Sequence, residues 1–160
     1  ALVEQEAFRA IEGALGIARQ PRAVADIEQV GTFAQLPEFL PQADYVINTL
    51  PNTAQTQDFI NAAFFAQMKR SAVFVNVGRG QAVIEADLAH ALRDGVIAHA
   101  ILDVYRTEPL PADHPLWRAP GLLITPHVGG DSTAFVPRAR KMISRLITER
   151  AANGSLSGPA

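Results

Sequence analysis

Four side chains in this sequence have types and placements that could do chemistry. Arg79 stands between Gly78 and Gly80, at the close of the apolar run "FVNV" (74–77). A guanidinium there offers a rigid fork of donors that matches a carboxylate bidentately. The flanking glycines remove side chains, so a ligand can approach the backbone closely. Taken alone, Arg79 reads equally well as a surface residue in a glycine-rich turn. His127, in "ITPHVGG" (124–130), carries an imidazole of the kind that exchanges a proton near neutral pH. Alone it reads as a solvated loop histidine. Glu108, in "DVYRTEP" (103–109), could accept from one imidazole nitrogen, fix the tautomer and favour the protonated form. Alone it is a loop carboxylate. Asp103 is either a half-buried structural residue or a polar contact to a ligand amide. Together, a cation, a carboxylate and an imidazole could hold a 2-oxo acid and protonate its carbonyl as a hydride arrives. His90 falls inside a helical pattern and His99 near the start of a strand, so both read as structural. His114, in "PADHPLW", ranks below His127 as a site candidate. The histidines are too dispersed for metal-ligand spacing.

The elements that must position these residues alternate along the chain. "LPEFLPQA" (36–43) predicts a short helix and "DYVINTL" (44–50) a strand closed by Pro51. Apolar residues at helical spacing, Phe59, Ile60, Ala63, Phe64 and Met68, predict a helix over 53–68, with Thr53 or Thr56 as N-cap. "SAVFVNV" (71–77) predicts a strand covered on both faces, because it is apolar almost throughout. An amphipathic helix over 84–95 ends at Gly95. Further strands follow at 97–105 and 122–125, then a long helix over 133–153 that ends at Gly154. The first 35 residues are less regular. "EAFRAIEGALG" (6–16) has the pattern of an amphipathic helix ended by Gly16, and 17–33 has room for a short strand and a loop.

Strands alternating with helices predict an α/β fold, a doubly wound, mostly parallel sheet in three layers. Ligands of such sheets sit outside the carboxyl ends of the strands. The polar residues cluster at those ends: Pro51-Asn52, Gly78-Arg79-Gly80, Asp103 and Thr125-Pro126-His127.

With 160 residues, 48% of them apolar, the chain has enough for one domain with a sizeable core. The formal net charge is −2 and the 14 basic residues are scattered, which predicts no nucleic-acid surface. There is no cysteine, so disulfides, thiolate zinc sites and cysteine nucleophiles are excluded. The apolar runs are too short for a membrane span, and no secretory leader is visible. A cytoplasmic protein without membrane partners is therefore expected.

The stretches "LPNTAQT", "FVNVGRG", "ILDVYRTEP", "HPLW" and "ITPHVGG" occur in order and at matching separations. In these the chain, over about residues 30–150, resembles the D-isomer-specific 2-hydroxyacid dehydrogenases, in their glyoxylate/hydroxypyruvate reductase-like branch. The resemblance implies a Rossmann-like cofactor domain, an NAD(P)-dependent reduction of a small 2-oxo acid, and a homodimer. By matched position it implies that Arg79 binds the substrate's carboxylate and carbonyl. His127 is then the general acid, and the base in reverse, with Glu108 as its partner. Asp103 contacts the nicotinamide carboxamide, and Leu50, Pro51, Val77, Gly78, Gly129 and Gly130 line the dinucleotide. The cofactor carries the hydride chemistry.

Two departures from that family stand out. The glycine-rich turn G-x-G-x-x-G, which opens a helix onto the pyrophosphate, is not found: Gly13 and Gly16 follow the first helical pattern instead of opening it. The substrate domain is largely absent. The expected organisation is a partial cofactor domain over 1–150, its first βαβ portion incomplete, including the start of a return helix, with a flexible tail over 151–160. Where NAD-preferring members of the family place an acid, this chain has Arg19, Gln20 and Arg22, which suit the 2′-phosphate of NADP over NAD. Two other readings remain: a non-catalytic relative that binds a dinucleotide or a protein, and an inert fragment of the enzyme.

Overall fold

The computed structural model describes residues 13–25 and 27–130, and from the remainder Thr133, Pro137, Arg140, Lys141, Ile143, Ser144, Arg145 and Thr148. Four parallel strands form the main sheet: β3 (Tyr45–Asn48), β4 (Val73–Asn76), β5 (His99–Leu102) and β6 (Leu122–Ile124). They lie side by side in chain order. Asn48 is paired with Asn76, Asn76 with Leu102 and Leu102 with Ile124, so all four carboxyl ends finish level on one edge. A separate pair, β1 (Leu15–Ile17) and β2 (Gln29–Gly31), is also parallel. Among the described residues, three α-helices have both ends defined: α1 (Leu36–Phe39), α2 (Ala62–Phe65) and α3 (Glu85–Arg93). Parallel strands laid down in chain order send successive same-handed crossovers to one face of the sheet. There α2 packs on α3. The parallel, Rossmann-like α/β class expected from the sequence is the class observed.

The core lies beneath those helices. Phe65 and Phe74 are fully enclosed, with Ile60, Leu88, Ile97, Leu102 and Leu116 around them. Edge-to-face aromatic contacts run Phe33–Phe59–Phe64–Phe65–Phe74, with centroids 5.3–6.1 Å apart. Such pairs stabilise beyond the area they bury. In β4 the alternation resolves cleanly: Phe74 and Asn76 are buried, Val73 and Val75 partly covered. The outer face of β3 shows Tyr45 and Ile47, both exposed.

Three elements differ from their sequence pattern. The helix expected over 53–68 is confined to Ala62–Phe65. Local side-chain bonds divert its first half: the Thr56 hydroxyl donates to the Pro51 carbonyl at 2.6 Å and accepts from the Thr53 amide at 2.9 Å. Asp58 then takes a left-handed φ of 56°, and Ile60 bridges to Val83 in strand-like fashion. Asn61 restarts the helix as its N-cap, accepting from the amides of Ala63 and Phe64. The helix expected to end at Gly16 does not reach it: residues 15–17 are strand β1, and residues 6–12 of that pattern lie outside the described residues. Gly16 pairs with Val30, close enough that a Cβ would stand 3.3 Å from the Val30 side chain. Of the expected 133–153 helix, the described residues from Pro137 to Thr148 are helical, Thr133 is in a turn, and the remaining residues, with the 151–160 tail, lie outside the described ones.

Among the described residues, β1 and β3 each leave one edge unpaired. A groove of about 320 Å³ runs between them, walled by Leu15–Ile17 and Tyr45–Leu50 and floored by Phe33, Phe39, Phe59 and Phe64. No described helix is long and apolar enough to cross a membrane.

Candidate active site

Where parallel strands end, their last backbone groups need partners, and here polar side chains supply them. The strands "YVIN" and "VFVN" both close on asparagine. The two amides meet: Asn48 Nδ2 donates to Asn76 Oδ1 at 2.9 Å. Asn48 Oδ1 accepts from the Leu50 amide and Asn76 Oδ1 from the Gly78 amide, at 3.0 and 3.1 Å. Asn76 Nδ2 donates to the Arg79 carbonyl at 3.4 Å. This buried ladder holds the two turns bearing Leu50-Pro51 and Gly78-Arg79 side by side. A Cβ on Gly78 would lie 2.9 Å from the Leu50 carbonyl oxygen, so only glycine lets the turns pack this closely.

Arg79 is exposed at the strand edge, with Nη1 donating to the Gly78 carbonyl at 2.6 Å. Directly behind it, Gly80 is pressed against the backbone of Tyr105 and Arg106. The loop after β5 is fixed from the other side as well. The Arg106 amide donates to Glu85 Oε1 at 2.8 Å, and its guanidinium donates to the Val83 and Gln81 carbonyls and pairs with Asp58. The second oxygen of Glu85 stands 3.4 Å from His114 Nε2, which makes His114 a support of α3 and removed from the imidazole chemistry.

That loop presents Glu108. Its Oε1 accepts from the Tyr105 amide at 3.0 Å, and Oε2 lies 2.6 Å from His127 Nδ1. The His127 bond, then the Tyr105 amide, hold the Glu108 carboxyl below its ordinary pKa, with the Arg79 charge adding to the effect. A charged Glu108 leaves Nδ1 as the donor, so Nε2 is the nitrogen free to face a reacting group. His127 itself has a left-handed φ of 56°.

Asp103 is buried at the end of β5 and accepts from Thr125 Oγ1 at 2.6 Å, the Val128 amide at 2.9 Å and the Gly129 amide at 2.7 Å. Burial acts to raise its carboxyl, but these three bonds and the nearby His127 outweigh it and leave the pKa lowered. Tyr105 spans β5 and β6, its hydroxyl 2.9 Å from the Leu102 carbonyl and 2.6 Å from that of Thr125. Burial, then the Asp103 charge, push its pKa up, so it stays a neutral donor.

A match to the family model described as "D-isomer specific 2-hydroxyacid dehydrogenase, NAD binding domain" covers residues 8–129. The chain belongs to the D-isomer-specific 2-hydroxyacid dehydrogenase family. Among curated members, glyoxylate/hydroxypyruvate reductase A of Serratia proteamaculans is 40% identical over 110 residues, covering 69% of this chain and 35% of that protein. The human glyoxylate reductase/hydroxypyruvate reductase is 39% identical over 140 residues, covering 88% of this chain and 40% of its own. Among solved structures, the NADPH-dependent glyoxylate/hydroxypyruvate reductase of Sinorhizobium meliloti, in complex with NADP and sulfate, superposes with a TM-score of 0.81 at 30% identity. It covers 96% of this chain and 49% of that one. The chain thus spans less than half the length of these relatives.

Within this 2-hydroxyacid dehydrogenase domain, the expected site residues converge unevenly. Glu108 and His127 are in direct contact, and Arg79 lies near enough for its charge to act on Glu108. Leu50, Pro51, Val77 and Gly78 line the adjoining ends of β3 and β4, and Gly129 and Gly130 follow His127. Arg19 and Arg22 are exposed just beyond β1. Sequence reasoning missed Tyr105 and the Asn48–Asn76 ladder, and it took Gly80 only as room for a ligand and Thr125 only as a polar residue at a strand end. The paired asparagines closing two apolar runs were a legible signal, since a polar residue in a buried strand must find a partner.

Proposed function

We propose that the protein containing this chain reduces a small 2-oxo acid of the glyoxylate or hydroxypyruvate type to its 2-hydroxy acid, with NADPH or NADH as hydride donor. One observation carries the reading: the 2.6 Å contact of His127 with Glu108 on the sheet edge where Arg79 is exposed. Arg79 clamps the substrate carboxylate through its guanidinium fork and polarises the adjoining carbonyl. His127 donates the Nε2 proton to the carbonyl oxygen, and Glu108 holds the ring's tautomer and orientation. In the reverse direction the same nitrogen accepts the hydroxyl proton.

The residues fit the nicotinamide end of such a cofactor. Val77 offers a half-exposed apolar wall, and Gly78, Gly129 and Gly130 open the backbone beside it. When bound, the cofactor supplies the hydride. For the pyrophosphate end, none of the three α-helices above is opened by a glycine turn. Residues 1–150 are accordingly proposed as a partial cofactor domain. Arg19 and Arg22, exposed beyond a strand end, suit the 2′-phosphate and favour NADP. A homodimer, which the family resemblance implies, and the cytoplasmic location expected from the sequence complete the proposal, and light scattering on the purified protein checks the dimer.

The deciding experiment is His127→Gln. Glutamine keeps a polar side chain but cannot serve as the acid, so turnover of glyoxylate with NADPH should fall about 10²- to 10⁴-fold. NADPH affinity, read by fluorescence titration, should hold. Unchanged turnover removes His127 from the chemistry. An unmutated protein that binds NADPH but reduces no 2-oxo acid favours the non-catalytic relative, and one with no saturable NADPH signal favours the inert fragment.

A further inference from the structure

His127 sits in a backbone conformation that is uncommon for a residue with a Cβ, a φ of 56°. The surrounding bonds show what holds it. Before His127, the Thr125 carbonyl accepts from the Tyr105 hydroxyl and from the His127 amide, at 2.6 and 3.0 Å. After it, the amides of Val128 and Gly129 both point into the Asp103 carboxylate. A Cβ on Gly129 would come within 2.8 Å of Asp103 Oδ2, so the missing side chain is what lets the carboxylate reach the backbone. Thr125 Oγ1 ties the same carboxylate to the end of β6.

We propose that Asp103 is a positioning residue for proton transfer: its buried carboxylate, steadied by Thr125, grips the 128–129 backbone and holds His127 against Glu108. This goes beyond a contact with the cofactor amide and rests on the reading of His127 as the proton donor. A carboxylate offers about four acceptor sites. Three are taken within the chain, so one remains for a ligand amide, and the two roles coexist. They are separable because Thr125 serves only the first. Released from the grip, the loop relaxes toward negative φ and carries the imidazole away from Glu108.

The test compares Asp103→Asn, Thr125→Val and Thr125→Ser. An amide in place of the Asp103 carboxylate turns an –NH₂ toward groups that are themselves donors, whichever way it is rotated. Thr125→Val removes one bond at nearly constant volume and keeps the protein folded if Asp103→Asn does not. Two readouts are followed, kcat for glyoxylate with NADPH and the NMR resonance of the His127 Nδ1 proton, which the Glu108 bond protects from exchange. Asp103→Asn should lower kcat by about 10- to 100-fold. Thr125→Val should lower it less and leave the NADPH dissociation constant unchanged, and both should weaken the resonance. Thr125→Ser should restore both. A resonance and kcat untouched by Thr125→Val and Asp103→Asn, or a Thr125→Ser variant as impaired as the valine, overturns the proposal. Should the unmutated protein reduce no 2-oxo acid, the resonance alone decides the positioning role, and the functional reading fails separately.

Discussion

Gly80 connects the two halves of the candidate site, and replacing it with alanine tests that connection. A Cβ there would lie 1.9 Å from the Tyr105 carbonyl carbon, 2.0 Å from its oxygen and 2.4 Å from the Arg106 amide nitrogen. Ordinary contact begins at 3.4 Å, so the backbones must part by 3.4 − 1.9 = 1.5 Å. The neighbours are main-chain atoms and cannot rotate aside. They are also held by the Arg106 bonds to Glu85, Val83 and Gln81. Overpacking of this kind costs about 3 kcal/mol, the upper end of its usual range. For a domain of this size that lowers Tm by about 6–12 °C. The displaced residue, Tyr105, holds Glu108 through its amide and Thr125 through its hydroxyl. A shift above 1 Å there should also cut turnover on the order of 10²-fold. Thermal unfolding by circular dichroism, read beside Gly130→Ala, checks the stability term. A Cβ on Gly130 meets nothing within 4 Å, so that variant should melt with the unmutated protein. A Gly80→Ala protein that melts within a degree or two of it refutes the packing argument.

Two further outcomes are expected. Glu108 and Asp103 both have carboxyls held below their ordinary values of 4.5 and 3.8. Each therefore stabilises the fold above its unfolded pKa, and that stability is lost as pH falls through the lowered folded value. Urea midpoints measured downward from pH 5 should decline, and Glu108→Gln should flatten part of the decline; an identical slope would discount the dyad. Arg79→Lys keeps the charge but loses the fork, so KM for glyoxylate should rise about tenfold while NADPH affinity holds. An unaltered KM would remove Arg79 from carboxylate binding.

The four strands of the main sheet were legible because each is a short apolar run stopped by a polar residue or proline, a pattern that depends only on near neighbours. The α3 helix was legible for the same reason, its apolar stripe and Gly95 stop lying within one segment. The 53–68 helix was misjudged because the spacing of Phe59, Ile60, Phe64 and Met68 reports burial, not helix: these four are buried or partly buried, Ala63 of the same pattern is exposed, and Ile60 reaches the core from an extended bridge to Val83. Gly16 was taken for a helix stop because its strand partner, Val30, is fourteen residues away and invisible to a local window.

The sequence by itself determined the parallel α/β class, and it singled out Arg79, Glu108 and His127 as candidates at the strand ends. Those follow from residue type and local pattern, together with a series of motifs in order. Only the tertiary structure decided that Glu108 meets His127 Nδ1, that Asp103 grips the loop beyond it, and that Gly80 lets the two halves touch. These contacts join residues 19 to 26 positions apart across separate strands. Their distances are set by strand register and crossover packing, which no single segment encodes.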